Sequence, residues 1–379
     1  MAFSLSATRW GFLIPAFAKQ VPCLTALALG LAACSPQTPT APPGANAPAE
    51  SASPAAGGGA TLSISGAGAT APNPVYQRWF QEYNKLKPTV QISYDSVGSG
   101  AGVKRFLDQT VDFGATDAVL KPDERSKLPA DRGSAIQVPT TGLFVVFAYN
   151  LDGVDNLKLS REAFCGIADG SIKTWNDPKI AKDNAGVTLP GDAITFVHRS
   201  DGSGTTDIFT KHLVKACPNW KAGSGKTVEW PAAGTGAKGN EGVAASIQQT
   251  KGAIGYTEFS FAKQTQLKTA TLQNKAGAFI APTPEAAAKA LEGETVPADF
   301  ALQVPDPAGK EAYPIVSLTW MLLYEQPKDA AKAKEMAEFL RWSVKDGKQY
   351  ATELGYIPLP DELATKVSAT LDTIKVSAK

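Results

Sequence analysis

Histidine and methionine are nearly absent from this sequence. His198 and His212 are its two histidines, beside three methionines in 379 residues, which leaves little room for a histidine-built metal site. An excess of charge of one sign is missing too. The 37 Lys+Arg stand against 36 Asp+Glu, a formal net charge of +1, which excludes a strongly basic nucleic-acid binder. With 43% hydrophobic and 19% charged residues, neither a disordered chain nor a multi-span membrane protein fits. What is there reads as a soluble globular protein with something attached. At about 100–200 residues per domain, the length suggests two domains or lobes with ample core. Any charged ligand must therefore be held by local geometry.

The attachment is at the start. Arg9 and Lys19 flank or precede apolar stretches that end at Leu24-Thr-Ala-Leu-Ala-Leu-Gly-Leu-Ala-Ala-Cys34, a secretion signal too short to span a bilayer comfortably. Leu31-Ala-Ala-Cys34 resembles a bacterial lipobox, so residues 1–33 are expected to be a lipoprotein signal peptide and Cys34 the lipidated mature N-terminus. The competing reading is a soluble-export signal with Cys34 a bystander. Residues 34–60 favour the anchor: Pro36, Pro39, Pro42, Pro43, Pro48 and Pro54, many Ala, Gly57-Gly-Gly59 and the single charge Glu50 make a disordered tether. The mature chain then carries a net charge of −1. Export also permits disulfides, which makes Cys165 and Cys217 a candidate pair; two separately buried thiols are the alternative.

From Thr61 onward, short β-rich runs alternate with helical ones, the pattern of an α/β architecture with parallel strands. The expected order begins with strand 61–65, turn Gly66-Ala-Gly-Ala, helix 74–86 and strand 89–94, one βαβ unit. Turn Val97-Gly-Ser-Gly-Ala-Gly102, helix 102–108 and strand 112–115 repeat it. A second stretch opens with the strand Leu143–Tyr149, continues through helices near 160–168 and 205–216, and returns by strand Gly252–Tyr256. A buried strand over 314–324 and helices over 328–347 and 360–375 complete the chain. Trp79, Trp175 and Trp220 read as packing residues.

Several strings imitate known motifs. Gly225-Lys-Thr227 ends like a P-loop, but the required first glycine falls at Trp220 and no strand precedes it. Gly66-Ala-Gly-Ala-Thr-Ala71 fits a loose dinucleotide fingerprint whose ribose acid, Asp95, comes too late. Gly234-Thr-Gly-Ala-Lys-Gly239 matches the strict form but reads as a loop without a convincing preceding strand. His198, Asp201 and Ser203 are the residue types of a serine hydrolase, yet Asp201-Gly-Ser-Gly-Thr205 lacks the leading glycine of the nucleophile elbow. Side chains so close in sequence rarely form a relay, and His198 reads as structural or as part of a cleft wall.

Four turns instead share one chemistry: Gly68-Ala-Thr70-Ala71, Gly98-Ser99-Gly100, Ala115-Thr-Asp117-Ala118 and Arg199-Ser-Asp201-Gly-Ser203-Gly204-Thr205. They offer hydroxyls, backbone N–H groups and a guanidinium at strand ends, where open α/β sheets bind anions. Singly, each hydroxyl is an ordinary N-cap; together they describe an oxyanion site.

These segments, with Lys238-Gly-Asn-Glu-Gly242 and Gly252-Ala-Ile-Gly-Tyr256, resemble in composition and order the phosphate-binding proteins of bacterial phosphate-specific ABC importers, over essentially all of 61–379. The resemblance implies a two-lobed periplasmic-binding-protein-like fold (type II), with lobe 1 at 61–139, lobe 2 at 140–311 and the return to lobe 1 at 312–379. It implies phosphate ligands at Thr70, Ala71, Ser99, Asp117, Arg199, Ser203, Gly204 and Thr205, with Asp201 holding Arg199. It further implies a non-enzymatic, monomeric binder without cofactor, metal or nucleic acid, facing the periplasm or cell exterior and delivering phosphate to permease subunits. Two positions depart from the family: Ala71 stands where Phe is common, and Gly100-Ala101 replaces a more usual Ser-Gly.

Asp117 is the expected specificity residue. A carboxylate accepts a hydrogen bond from the O–H of a protonated phosphate but meets only lone pairs on sulfate. The rival readings are a binder of sulfate or molybdate, a secreted phosphatase or esterase using Ser203 and His198, and a signalling or adhesion lipoprotein without anion affinity.

Overall fold

The computed structural model describes residues 61–232 and 234–376. The expectations at 1–33, Cys34 and 34–60 lie outside the described residues.

The first βαβ unit forms where the pattern puts it, as β1 (Leu62–Gly68), α1 (Asn73–Leu86) and β2 (Val90–Ser96). Pro74 fits the first helical turn, where no N–H is required. Val75, Tyr76, Trp79, Phe80 and Tyr83 recur at helical spacing and are the face that α1 buries. Next come α2 (Ser99–Leu107), β3 (Phe113–Thr116), the short α3 (Pro122–Arg125) and β4 (Ala135–Tyr149). The second half runs through β5 (Lys158–Leu159), α4 (Arg161–Ala168), α5 (Pro178–Asp183), β6 (Thr195–Arg199), α6 (Gly204–Ala216), β7 (Gly234–Ala237), α7 (Gly239–Gln249), β8 (Ala253–Glu258) and α8 (Phe259–Gln264). After β9 (Lys268–Thr269), β10 (Thr271–Gln273), β11 (Phe279–Ile280) and α9 (Pro284–Ala288), the chain returns by β12 (Val316–Tyr324). It closes with α10 (Ala330–Ser343), α11 (Lys348–Leu354) and α12 (Asp361–Leu371).

The main sheet has the order β2-β1-β3-β12-β4-β8-β6-β7. β1 pairs in parallel with β2 and β3, and β6 in parallel with β7 and β8. β4 joins these two parallel sets: residues 135–144 pair antiparallel with β12, and residues 145–149 with β8. One long strand thus belongs to both lobes, and the carboxyl ends of both parallel sets face one cleft, where such sheets bind ligands. The small β11-β10-β5 sheet is separate.

Three expectations need correction. β4 begins at Ala135, eight residues before Leu143, because Pro139 sits beside a register shift between Thr319 and Trp320 of β12 that absorbs its missing N–H. Gly234–Ala237 is a strand: it runs beside β6, where a Cβ on Gly234 would lie 2.0 Å from the Phe196 carbonyl oxygen. The helix expected over 328–347 stops at Ser343 as α10, and a further helix that the pattern did not announce, α11, starts at Lys348 after Gly347, whose carbonyl accepts from Trp79 Nε1 at 2.8 Å. Trp79, Trp175 and Trp220 are buried. Cys165 and Cys217 form a disulfide, with their Cα atoms 5.4 Å apart.

Candidate functional site

Each parallel strand ends in a turn that leads into a helix N-terminus or carries a polar side chain. Thr70 and Ala71 follow β1, Ser99 opens α2 after β2, and Asp117 follows β3. Arg199 ends β6, while Ser203, Gly204 and Thr205 begin α6. Thr70, Ala71, Ser99, Asp117, Arg199, Ser203 and Thr205 are all buried.

Contacts between the lobes draw them together. Gly100 N–H donates to the Gly202 carbonyl at 2.8 Å, backbone to backbone. A Cβ on Gly204 would lie 2.5 Å from Ser99 Oγ and 2.6 Å from Asp117 Cβ, so the start of α6 reaches Asp117 only as glycine. The loops are close at Gly100 as well, where an added Cβ would lie 3.1 Å from Gly202 Cα. At the rim, Lys226 pairs with Glu124, both largely buried.

Arg199 is fixed by Asp201, which accepts from Nε at 2.7 Å and from Nη2. Asp201 also accepts from Gly239 N–H at 3.1 Å. Its carboxyl pKa is lowered overall: burial raises it, but the hydrogen bonds and charge of Arg199 outweigh that. Nη1 reaches Thr205 Oγ1 at 3.4 Å, and the terminal edge of the guanidinium keeps uncommitted donors.

Asp117 accepts from Thr319 Oγ1 at 2.7 Å, and its backbone N–H donates to Ser99 Oγ at 3.2 Å. Burial pushes its carboxyl up to about 7, against the opposing pull of Thr319, the Arg199 charge and Ser99. Ser203 Oγ accepts from Thr206 N–H at 3.0 Å as the N-cap of α6, leaving the Gly204 and Thr205 amides at the helix N-terminus without intrahelical acceptors. The site thus concentrates donors around one carboxyl, the composition of a receptor for a protonated oxyanion.

His198 stands apart from a catalytic relay. Its ring stacks on Trp230 and its Nδ1 lies 3.0 Å from the Arg199 carbonyl. His212 packs against Phe164 with Nδ1 at the Pro305 carbonyl.

Sequence reasoning missed three residues here. Asn240, from the Lys238-Gly-Asn-Glu-Gly242 string, donates from Nδ2 to Thr70 Oγ1 at 2.8 Å and to Thr205 Oγ1 at 3.0 Å. Thr319 sits inside an apolar strand, where a fully buried hydroxyl was the available signal. Glu258, at the end of β8, is buried; its Oε2 accepts from the Ser260 N–H and hydroxyl, while Oε1 has no partner among the described residues. Ser260 Oγ lies 2.9 Å from Tyr356 Oη, which donates to the Ala71 carbonyl at 2.7 Å.

Residues 50–346 match the family model described as a PBP superfamily domain. The chain is 41% identical to the phosphate-binding protein PstS of Pasteurella multocida over 82% of its own length and 90% of that protein. It is 39% identical to the Xylella fastidiosa protein of the same name, over 82% and 85%, and 37% identical to that of Methanocaldococcus jannaschii, over 80% and 84%. Among solved structures, a high-affinity periplasmic phosphate-binding protein bound with phosphate superposes with a TM-score of 0.68 at 24% identity, covering 81% of this chain and 93% of that one. The phosphate-binding protein from Stenotrophomonas maltophilia gives 0.67 at 20%, with the same coverage. These two structures share the fold. On the family model and the curated relatives together, the chain belongs to the PstS phosphate-binding proteins of the PBP superfamily.

Proposed function

We propose that this protein binds inorganic phosphate outside the cytoplasmic membrane and delivers it to the permease of an ABC importer. The observation that carries the proposal is the convergence, in one buried cleft, of Arg199, the hydroxyls of Thr70, Ser99, Ser203 and Thr205, and the buried carboxyl of Asp117. Thr70, Ala71, Ser99, Asp117, Arg199, Ser203, Gly204 and Thr205 are the proposed ligands, and Asp201 orients Arg199. We propose lobe boundaries at 139/140 and 311/312.

Selectivity follows from counting donors and acceptors. The donors of the site suit any tetrahedral oxyanion, whereas Asp117 suits one that carries a proton. Opposite a phosphate O–H, its carboxylate is an acceptor with a partner. Opposite sulfate it faces a second anionic oxygen in a site with little water, where repulsion is strong. The phosphatase reading lacks an activated nucleophile, because Ser203 Oγ is engaged as an N-cap and His198 Nδ1 lies at the Arg199 carbonyl.

The phosphate-binding proteins to which the chain is similar support phosphate as the ligand. The lipobox-like Cys34 and the tether support a membrane-anchored lipoprotein, and we propose that it acts as a monomer. Incubation with a chromogenic phosphate ester and with labelled phosphate separates the readings: a binder retains phosphate and releases no chromophore, whereas sustained turnover overturns the proposal.

A further inference from the structure

Thr70 and Thr205 come from opposite lobes, and each oxygen is already an acceptor twice over. Thr70 Oγ1 accepts from Asn240 N–H at 3.2 Å and from Asn240 Nδ2 at 2.8 Å. Thr205 Oγ1 accepts from Asn240 Nδ2 at 3.0 Å and from Arg199 Nη1 at 3.4 Å. A hydroxyl has two acceptor lone pairs and one proton. With both lone pairs occupied, the capacity left to each threonine is to donate its proton.

The orientation of the Asn240 amide is itself fixed. Its Oδ1 accepts from Glu258 N–H at 2.9 Å and from Thr257 Oγ1 at 3.2 Å. A backbone N–H can only donate, so the oxygen of the amide must face Glu258 and the NH2 must face the threonines. Asn240 is fully buried at the first turn of α7, which makes an unmet donor or acceptor there costly.

We infer that Asn240 is a positioning residue that makes Thr70 and Thr205 obligate proton donors toward the bound anion, and that it does so for Thr70 only when the lobes close. Thr70 lies beyond β1 and Asn240 on α7 of the other lobe, so both of its bonds to Thr70 form across the cleft. In an opened cleft Thr70 is free to present a lone pair as readily as a proton; closure removes that choice. The bound oxyanion thus gains two aligned donors at the moment that water is excluded. This inference rests on the phosphate-binding reading of the site.

The test is a mutant cycle read by titration of inorganic phosphate into the purified, ligand-stripped protein. Asn240→Ala is expected to weaken binding by roughly ten- to a hundredfold, the range for hydrogen bonds to a charged group. Repeated in a Thr70→Val, Thr205→Val background, the same substitution is expected to cost less than about threefold, because no hydroxyl remains to be oriented. An equal loss in both backgrounds would mean that Asn240 acts only by holding the lobes, and the inference would be overturned. The near-isosteric Asn240→Asp gives a second reading that does not depend on the alanine variant folding. Its carboxylate accepts from both hydroxyls and turns their protons away, so it is expected to bind phosphate more weakly than Thr70→Val, Thr205→Val; binding at or above that level would also overturn the inference. Failure of the unmutated protein to bind phosphate would instead sink the functional reading itself.

Discussion

Thr319 donates its hydroxyl to Oδ1 of Asp117 at 2.7 Å, linking the buried return strand β12 to the turn after β3. This hydrogen bond stabilises the ionised carboxylate and works against the burial that raises its pKa. In Thr319→Val the opposing pull is lost, so Asp117 should hold its proton to higher pH. A protonated Asp117 can donate to sulfate. Competition titrations from pH 6 to 8 should therefore show the preference for phosphate over sulfate setting in at higher pH in Thr319→Val than in the parent, and superimposable profiles would refute the role given to Thr319.

Two buried carboxyls make stability fall as pH rises. Burial pushes Asp117 from 3.8 up to about 7 and Glu258 from 4.5 up to about 8. A group whose folded pKa is raised binds more protons when folded than when unfolded, and its contribution is lost as pH climbs through the folded value. His212 runs the other way: burial lowers it from 6.5 to about 4, so its contribution is lost as pH falls through that window. Between about pH 6.5 and 8 the carboxyls act alone, with a slope of at most about 1.4 kcal/mol per pH unit for each proton released. Thermal unfolding without phosphate should show the melting temperature decreasing across that window. Glu258→Gln should flatten the decrease, and an unchanged slope would contradict the assignment.

The Cys165–Cys217 bridge ties the middle of α4 to the C-cap of α6 across 52 residues of sequence. Closing a loop of that length is worth about 4 kcal/mol of unfolded-chain entropy in the simplest treatment. Cys217 lies at the opposite end of α6 from Ser203. Replacing both by alanine should lower stability to chemical denaturation by about 2–4 kcal/mol while leaving phosphate affinity within about twofold; a large affinity loss would show that the bridge shapes the cleft.

How far the sequence reveals this site depends on the range of each interaction. Thr70, Ser99, Asp117 and the Arg199–Thr205 segment were legible because they follow strand-like runs as compact turns of small and polar residues, a local pattern. Asn240 was not, because its partner Thr70 lies 170 residues away and nothing around Lys238-Gly-Asn marks that contact. Thr319 was hidden in the apolar run that correctly identified β12. The same limit governs the fold. Helix α1 announces its buried face by periodicity, whereas β7 is a strand of glycine, threonine and alanine whose pairing is decided by the backbone of β6. The start of β4 was not legible either, because Pro139 withholds an N–H there and the shifted register of β12 is what lets the strand run through it.

The central claim, that one buried carboxyl selects a protonated oxyanion among otherwise indifferent donors, is tested most directly by calorimetric titration of phosphate and then sulfate into ligand-stripped protein, with Asp117→Asn in parallel. The expected result is tight phosphate binding with no measurable sulfate binding in the parent, and a narrowed gap between the two ions in Asp117→Asn. Equal binding of sulfate by the parent, or no binding of phosphate at all, would contradict it.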